Sequence, residues 1–405
     1  MRIRSVTLGI DATYPLDPDL FRALGAFQEE ARIRFQEAGL EVQTVRLATQ
    51  PFPTVLQDEG PRAAAPFAEA LEAACEANGI DYCSIGPVLA TEPDADVDFI
   101  GEIPEVIRRT EAGFASVLVA DPGAGINLEA ISRSAEVVSE IAHSTPDGFG
   151  NLRLAILSNC GPGSPFFPVS YHGGGRTRFS VATEAADLAV EAFSGAATLE
   201  DAATVLTKCI DRAAQTIATV CEALEAGSEF DFGGIDFTLA PFPEIERSIG
   251  HAIELLGVEA FGGSATLFAV ALIKRAIETA SFDQCGFSGV MLPVLEDQTL
   301  AQRSVERLFS LDSLLLYSTV CGTGLDTIPL PGDVAVDELA AILLDVATLS
   351  LVADKPLTAR LMPIPGKRAG DLTEFDFHYF ANGRIMETRE LGASRIFEQG
   401  ARFHL

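Results

Sequence analysis

The sequence predicts an α/β fold in which helices cover a mainly parallel sheet. Three observations carry that reading. Strand-like and helix-like segments alternate from the first residues onward. Hydrophobic residues make up 48% of the 405 positions, including 26 Phe, enough to build large cores and too much for a disordered chain. Turn signals fall between the periodic segments, and no long polar or Ser-rich linker separates two cores, so residues 1–405 are expected to form one large domain.

The elements follow in order. Arg2 to Ile10 alternates in hydropathy and reads as a strand. Asp17-Pro18 opens a helix, since the Asp carboxylate accepts free first-turn N–H groups and Pro fits the first turn; that helix runs to Ala38 and stops at Gly39. Glu41 to Ala48 is the next strand. The rhythm repeats with a helix from Pro61 to Asn78, a strand over Asp81–Val88, a helix near Val97–Thr110, a strand at Phe114–Ala120, a helix over Leu128–His143 and a strand at Leu152–Ser158. The second half is more helical. Ala182–Phe193, Leu199–Ala226, Ile245–Leu256, Ala265–Thr279 and Val336–Ala353 carry helical spacing, and Gly234–Ala240, Gly289–Leu295 and Leu357–Ile364 are apolar strand-like runs. Two stretches resist regular structure: Asn159 to Arg178, dense in Gly and Pro, and Cys321 to Asp333. Long loops of this kind usually carry function.

Charge excludes several function classes. Asp plus Glu number 58 against 28 Lys plus Arg, a formal net charge of −30. Such a surface repels phosphate backbones and anionic headgroups, so neither nucleic acid nor a membrane is an expected partner. The longest apolar run, Leu339 to Ala353, is interrupted by Asp345, and the N-terminal residues lack a signal-peptide pattern, which points to a cytoplasmic protein. Seven widely spaced cysteines suggest free thiols in a reducing compartment rather than disulfides or zinc knuckles.

Several residues are candidates for chemistry. Cys83 and Cys160 end strand-like runs, where α/β folds place their ligand crevices, and Cys321 begins an irregular loop after a helix. His172 lies twelve residues beyond Cys160 across the Gly/Pro-rich loop, a spacing that allows a thiol–imidazole pair. Gly173, Gly174 and Gly175, followed by Arg176, suit a backbone nest with a cationic rim for a small anion, and Arg360 sits in the other basic stretch. Asp236 and Asp326 interrupt apolar segments and are candidates to orient polar groups or bind a metal. The run Asp94, Asp96, Asp98 and Glu105 resembles a calcium loop but has Phe99 where the sharp turn needs Gly, and helix-start carboxylates explain it more simply. Walker, dinucleotide, nucleophile-elbow and zincin patterns are absent.

These motifs coincide with a family. The opening Ile3 to Ile10, the turn Cys83-Ser84-Ile85-Gly86-Pro87, Leu157-Ser158-Asn159-Cys160, the block Cys321 to Asp333 and the closing Lys355 to Lys367 together resemble the domain of unknown function 711, related to uncharacterised protein family 0210. That resemblance implies a fold like that of the pyruvate formate-lyase group of glycyl radical enzymes, an α/β barrel of two facing half-sheets surrounded by helices, with loops entering its centre. The radical motif does not follow, because Arg384-Ile385-Met386-Glu387-Thr388 has no glycine in the required place, and no glycyl radical is expected. The resulting expectation is a non-radical, thiol-dependent enzyme acting on a small anionic metabolite bound in a barrel pocket. Cys160 or Cys321 would then be the thiol, with His172 assisting. The competing reading is a metabolite-binding regulatory protein without turnover. Cofactor and metal content stay open, and Ala/Leu-rich helices offer faces for a homo-oligomer.

Overall fold

A computed structural model describes residues 1–405. Eleven strands form one mixed sheet: β1 (Arg2–Ile10), β2 (Val42–Thr49), β3 (Tyr82–Leu89), β4 (Gly113–Asp121), β5 (Gly125–Asn127), β6 (Leu154–Ser158), β7 (Arg178–Glu184), β8 (Asp231–Asp236), β9 (Gly324–Pro331), β10 (Leu357–Ile364) and β11 (Arg402–Phe403). The main spatial order is β8-β7-β1-β2-β3-β4-β6-β10-β9, with β5 and β11 attached beside β4. The α/β expectation is met, and so is the mainly parallel character of the first half. β1, β2, β3, β4 and β6 are parallel neighbours. β7 and β8 on one flank, and β10 and β9 on the other, run the opposite way.

Each parallel step needs a crossover, and helices supply it. The helix Pro18–Glu37 joins β1 to β2; Asp17 caps it by accepting from Asp19 N at 2.9 Å, and Phe21, Leu24, Phe27, Ala31 and Phe35 form its buried stripe. The helices Ala64–Ala77, Ile103–Arg109 and Leu128–Ser144 make the next three crossovers.

Period-two alternation then separates the two faces of the sheet. In β2, Val45 and Leu47 join a hydrophobic cluster of 96 residues that includes the crossover helices, whereas Thr44, Arg46 and Ala48 face the other way. The same split recurs in β10, where Leu357, Ala359 and Leu361 belong to the large cluster and Thr358 and Arg360 to the opposite side.

That opposite side is the interior of the molecule. The segment from Asp283 to Leu295 is bonded to both outer strands of the sheet. Ile235 N donates to Asp283 O (2.8 Å) and Leu239 N to Gly289 O (3.0 Å) on the β8 side, and Val294 N donates to Asp326 O (3.2 Å) on β9. The two ends of the strand order are thereby joined.

Three expectations are revised. Ala182 to Glu184 belong to β7, and the helix begins only at Ala186. The block expected as a loop from Cys321 contains β9, fully buried along its length. Gly289–Leu295 is the irregular bridge between sheet edges rather than a strand. The helix expected before Cys321 is present as Leu311–Tyr317, with a second short helix, Gln298–Val305, ahead of it. For β7 and β9 tertiary pairing overrides local pattern, since strands buried on both faces lose their alternation.

Candidate functional site

The chain between β6 and β7 has to cross β4, β3, β2 and β1 to reach its place beside β1. No helix makes this step. The Gly/Pro-rich stretch crosses on the interior face, and Ser164 to His172 are all buried. Its path is pinned by Thr7 Oγ1 donating to Pro165 O (2.8 Å), Ser84 Oγ donating to Ser170 O (3.0 Å) and His172 N donating to Thr49 O (2.9 Å). An irregular stretch over Asn159–Arg178 was the sequence expectation, and no helix or strand lies between β6 and β7.

Against this loop lies a cavity of about 340 Å³. Its lining combines the aromatic residues Phe114, Phe166, Phe167 and Tyr82 with the charged residues Arg4, Arg46, Arg153, Glu296, Asp326 and Arg360. Four of these charges form a chain. Arg4 donates to Glu296 (2.7 Å) and to Glu184 (3.0 Å), and Arg360 donates to the other Glu296 oxygen (2.7 Å) and to Asp326 (2.6 Å). Burial opposes ionisation of Glu296, but Arg360 and Arg4 outweigh it and hold the carboxyl below its usual range. Asp326 goes the other way, because burial, with Glu296 nearby, exceeds what Arg360 returns, and its pKa is raised. Two neighbouring carboxyls with opposite shifts are a common arrangement for proton transfer.

Arg46 stands outside this chain. Its guanidinium is buried, its Nε donates to Thr44 Oγ1 (2.9 Å), and it lies 5.3 Å from the Phe167 ring and 5.8 Å from Tyr82. No carboxylate pairs with it, unlike the other buried arginines, Arg360 and Arg384. Burial, then the charge of Arg4, pulls its pKa from 12.5 down to about 9, which still leaves it cationic at neutral pH. An uncompensated buried cation facing a cavity is a site for an anion.

The sequence candidates fall into three places. Asp326 and Arg360 line this cavity together, within hydrogen-bond distance of each other. His172, Gly173 and Gly174 border a second cavity. Arg176 does not join Arg360; it is exposed and pairs with Asp231 at 3.0 Å, while Gly175 N donates to Asp11 (2.9 Å).

The cysteines lie elsewhere. Cys160 sits in a small apolar cluster, its thiol donating to the carbonyls of Ser158 (3.4 Å) and Leu357 (3.5 Å), and burial pushes it up to about 12. No hydrogen bond joins it to His172. Cys321 is fully buried, and its sulfur accepts from Gly324 N at 3.3 Å. Cys83 points to the helix side of β3, toward Cys75.

Asp236 is a structural anchor. It accepts from Phe287 N and Ser288 N (both 2.7 Å) and from Thr238 Oγ1 (2.5 Å), tying the bridging segment to β8. Gly286 precedes that contact at φ 58, where a Cβ would lie 2.1 Å from the Asp236 carboxylate. No group of three or more His, Cys, Asp or Glu side chains is arranged to hold a metal ion.

Sequence reasoning passed over Arg4, Arg46 and Glu296. A signal existed for Arg46, which stands between Val45 and Leu47 in a central strand, where a charge in alternation with core residues must face something polar.

The profile of a family described as Uncharacterised ACR (DUF711) matches residues 1–382. The chain belongs to this family. Relatives of the DUF711 chain include UPF0210 proteins from Methanopyrus kandleri, 33% identical over 400 residues, and from Pyrobaculum arsenaticum, 32% identical over 419. The first alignment covers 91% of this chain and 87% of the relative, the second 97% and 91%. The names of these DUF711 relatives state no activity, and no helix of the chain is long and apolar enough to cross a membrane.

Proposed function

We propose that the protein binds a small organic anion inside the arginine-lined cavity, its anionic group on Arg46 and its apolar part against Phe114 and Phe167. The observation that carries this reading is the buried Arg46 guanidinium without a carboxylate partner. The aromatic residues of the lining favour an amphipathic ligand over a fully polar one.

Asp326 is the group best suited to move a proton on such a ligand, since its pKa is raised while Glu296 beside it stays low. No cysteine, serine or histidine lines the cavity, so support for a thiol nucleophile is lacking and acid–base chemistry is the better-supported route. The two oppositely directed flanks, joined through Asp283–Leu295, favour the half-sheet barrel that the family resemblance implies, and the 96-residue cluster favours one domain.

The test is native mass spectrometry of freshly purified protein and of Arg46→Met, with small molecules identified after denaturation. A co-purifying or added organic anion retained by the wild type and lost in the variant is the expected result. Equal retention overturns the assignment. Incubation of the identified anion with protein, followed by NMR, then separates an enzyme, which converts it, from a regulatory protein, which returns it unchanged.

A further inference from the structure

A second cavity, of about 360 Å³, shares the entering loop with the first but none of its lining residues. It is bounded by Thr7 and Gly9 of β1, Arg178 and Ser180 of β7, and Ser164 and His172 of the loop. Its chemistry is the reverse of the first, because only 2 of its 16 lining residues are hydrophobic; it suits a polar occupant.

Within it, His172 Nε2 is buried and has no hydrogen-bond partner. Asp11 Oδ1 is 3.7 Å away, beyond bonding distance. The ring cannot simply swing to another partner. The backbone N–H of His172 is held by Thr49 O, and a Cβ on Gly9 would lie 2.8 Å from His172 Nδ1, so the imidazole occupies space that only glycine leaves. A buried polar nitrogen fixed in this way without a partner calls for one. Arg178 is the only arginine or lysine in the lining, and no carboxylate pairs with it. Burial lowers the His172 pKa and Arg178 adds to this, against the opposing pull of Asp11 and of the Gly175 backbone.

We propose that this second cavity binds a small oxyanion, phosphoryl or carboxylate, between the Arg178 guanidinium and His172 Nε2. In the neutral ring the oxyanion selects the tautomer with hydrogen on Nε2, which then donates to it. Ser164 and Ser170 belong to the same lining, and a serine hydroxyl can donate to an oxyanion. Nothing in this assignment depends on Arg46.

The test is isothermal titration of the intact protein with inorganic phosphate and, separately, with acetate, each up to about 10 mM. Arg178→Met and His172→Gln are titrated alongside. The expected result is one saturable site for at least one probe, weakened about tenfold or more by Arg178→Met, equivalent to about 1.4 kcal/mol. Preference for phosphate or acetate identifies the headgroup. Arg178 is exposed, so its variant carries the test even where His172→Gln fails to fold. Imidazole nitrogen NMR adds a direct readout, in which the Nε2 resonance moves on addition of the anion. Absence of saturable binding of both probes, or binding unchanged in Arg178→Met, overturns the proposal. Binding lost in Arg46→Met but kept in Arg178→Met places the anion in the first cavity, which overturns this site while supporting the other.

Discussion

Replacing Arg46 with Met separates a functional cation from a structural one, because the two roles predict opposite signs. The fall in its pKa from 12.5 to about 9 means that the charged side chain is disfavoured in the empty protein. At about 1.4 kcal/mol per tenfold change this corresponds to at most about 5 kcal/mol. Ring contacts with Phe167 at 5.3 Å and Tyr82 at 5.8 Å return about 1–2 kcal/mol. Relaxation and water entry reduce the remainder further. Met fills similar space without charge, so Arg46→Met is expected to stabilise the empty protein by about 1–3 kcal/mol. With an unfolding entropy of about 2.1 cal/mol/K per residue over 405 residues, this is a rise in Tm of about 1–4 °C. Affinity for the organic anion moves the other way. Losing a buried charged hydrogen bond removes about 2 kcal/mol or more, about 30-fold in Kd. Differential scanning calorimetry and titration calorimetry on the same preparations read both quantities. A variant that is less stable and binds as tightly as the wild type refutes the reasoning.

Other substitutions probe the neighbouring groups. Glu296→Gln removes the carboxylate that Arg4 and Arg360 share, and a loss of about 3–5 kcal/mol in urea unfolding is expected. Asp236→Ala strands two backbone N–H groups and the Thr238 hydroxyl, a loss of about 3 kcal/mol or more in the same assay. His172 has a folded-state pKa below 6.5, so as pH falls through 6.5 the unfolded chain takes up a proton that the folded one refuses; stability drops, and His172→Gln removes that part of the pH dependence of Tm. Cys160, pushed up to about 12 by burial, resists iodoacetamide in the folded protein at pH 8 and reacts only on unfolding, as peptide mapping would show.

The sequence carried the alternating strands and helices of the first half because each crossover unit is local. Its helix caps, apolar stripe and following strand lie within a few dozen residues. It also singled out the Asn159–Arg178 loop, Asp326 and Arg360, since glycine density and charges inside apolar runs are visible without coordinates. The pairing of Cys160 with His172 was less accessible. Twelve residues of separation permit contact, but the thiol turns into an apolar cluster while the imidazole turns toward Gly9.

Sequence alone determined the α/β class and the family, because periodicity and motif spacing are properties of the chain's own order. Tertiary structure decided which residues form each site. Arg4 and Glu296 lie 292 positions apart and meet because β1 and the segment bridging the sheet edges face one interior. Arg46 becomes a candidate anion receptor only once the fold has assigned the available carboxylates to Arg4 and Arg360. Whether a charge is compensated depends on distances between residues remote in sequence, and those distances exist only after the sheet has folded around them.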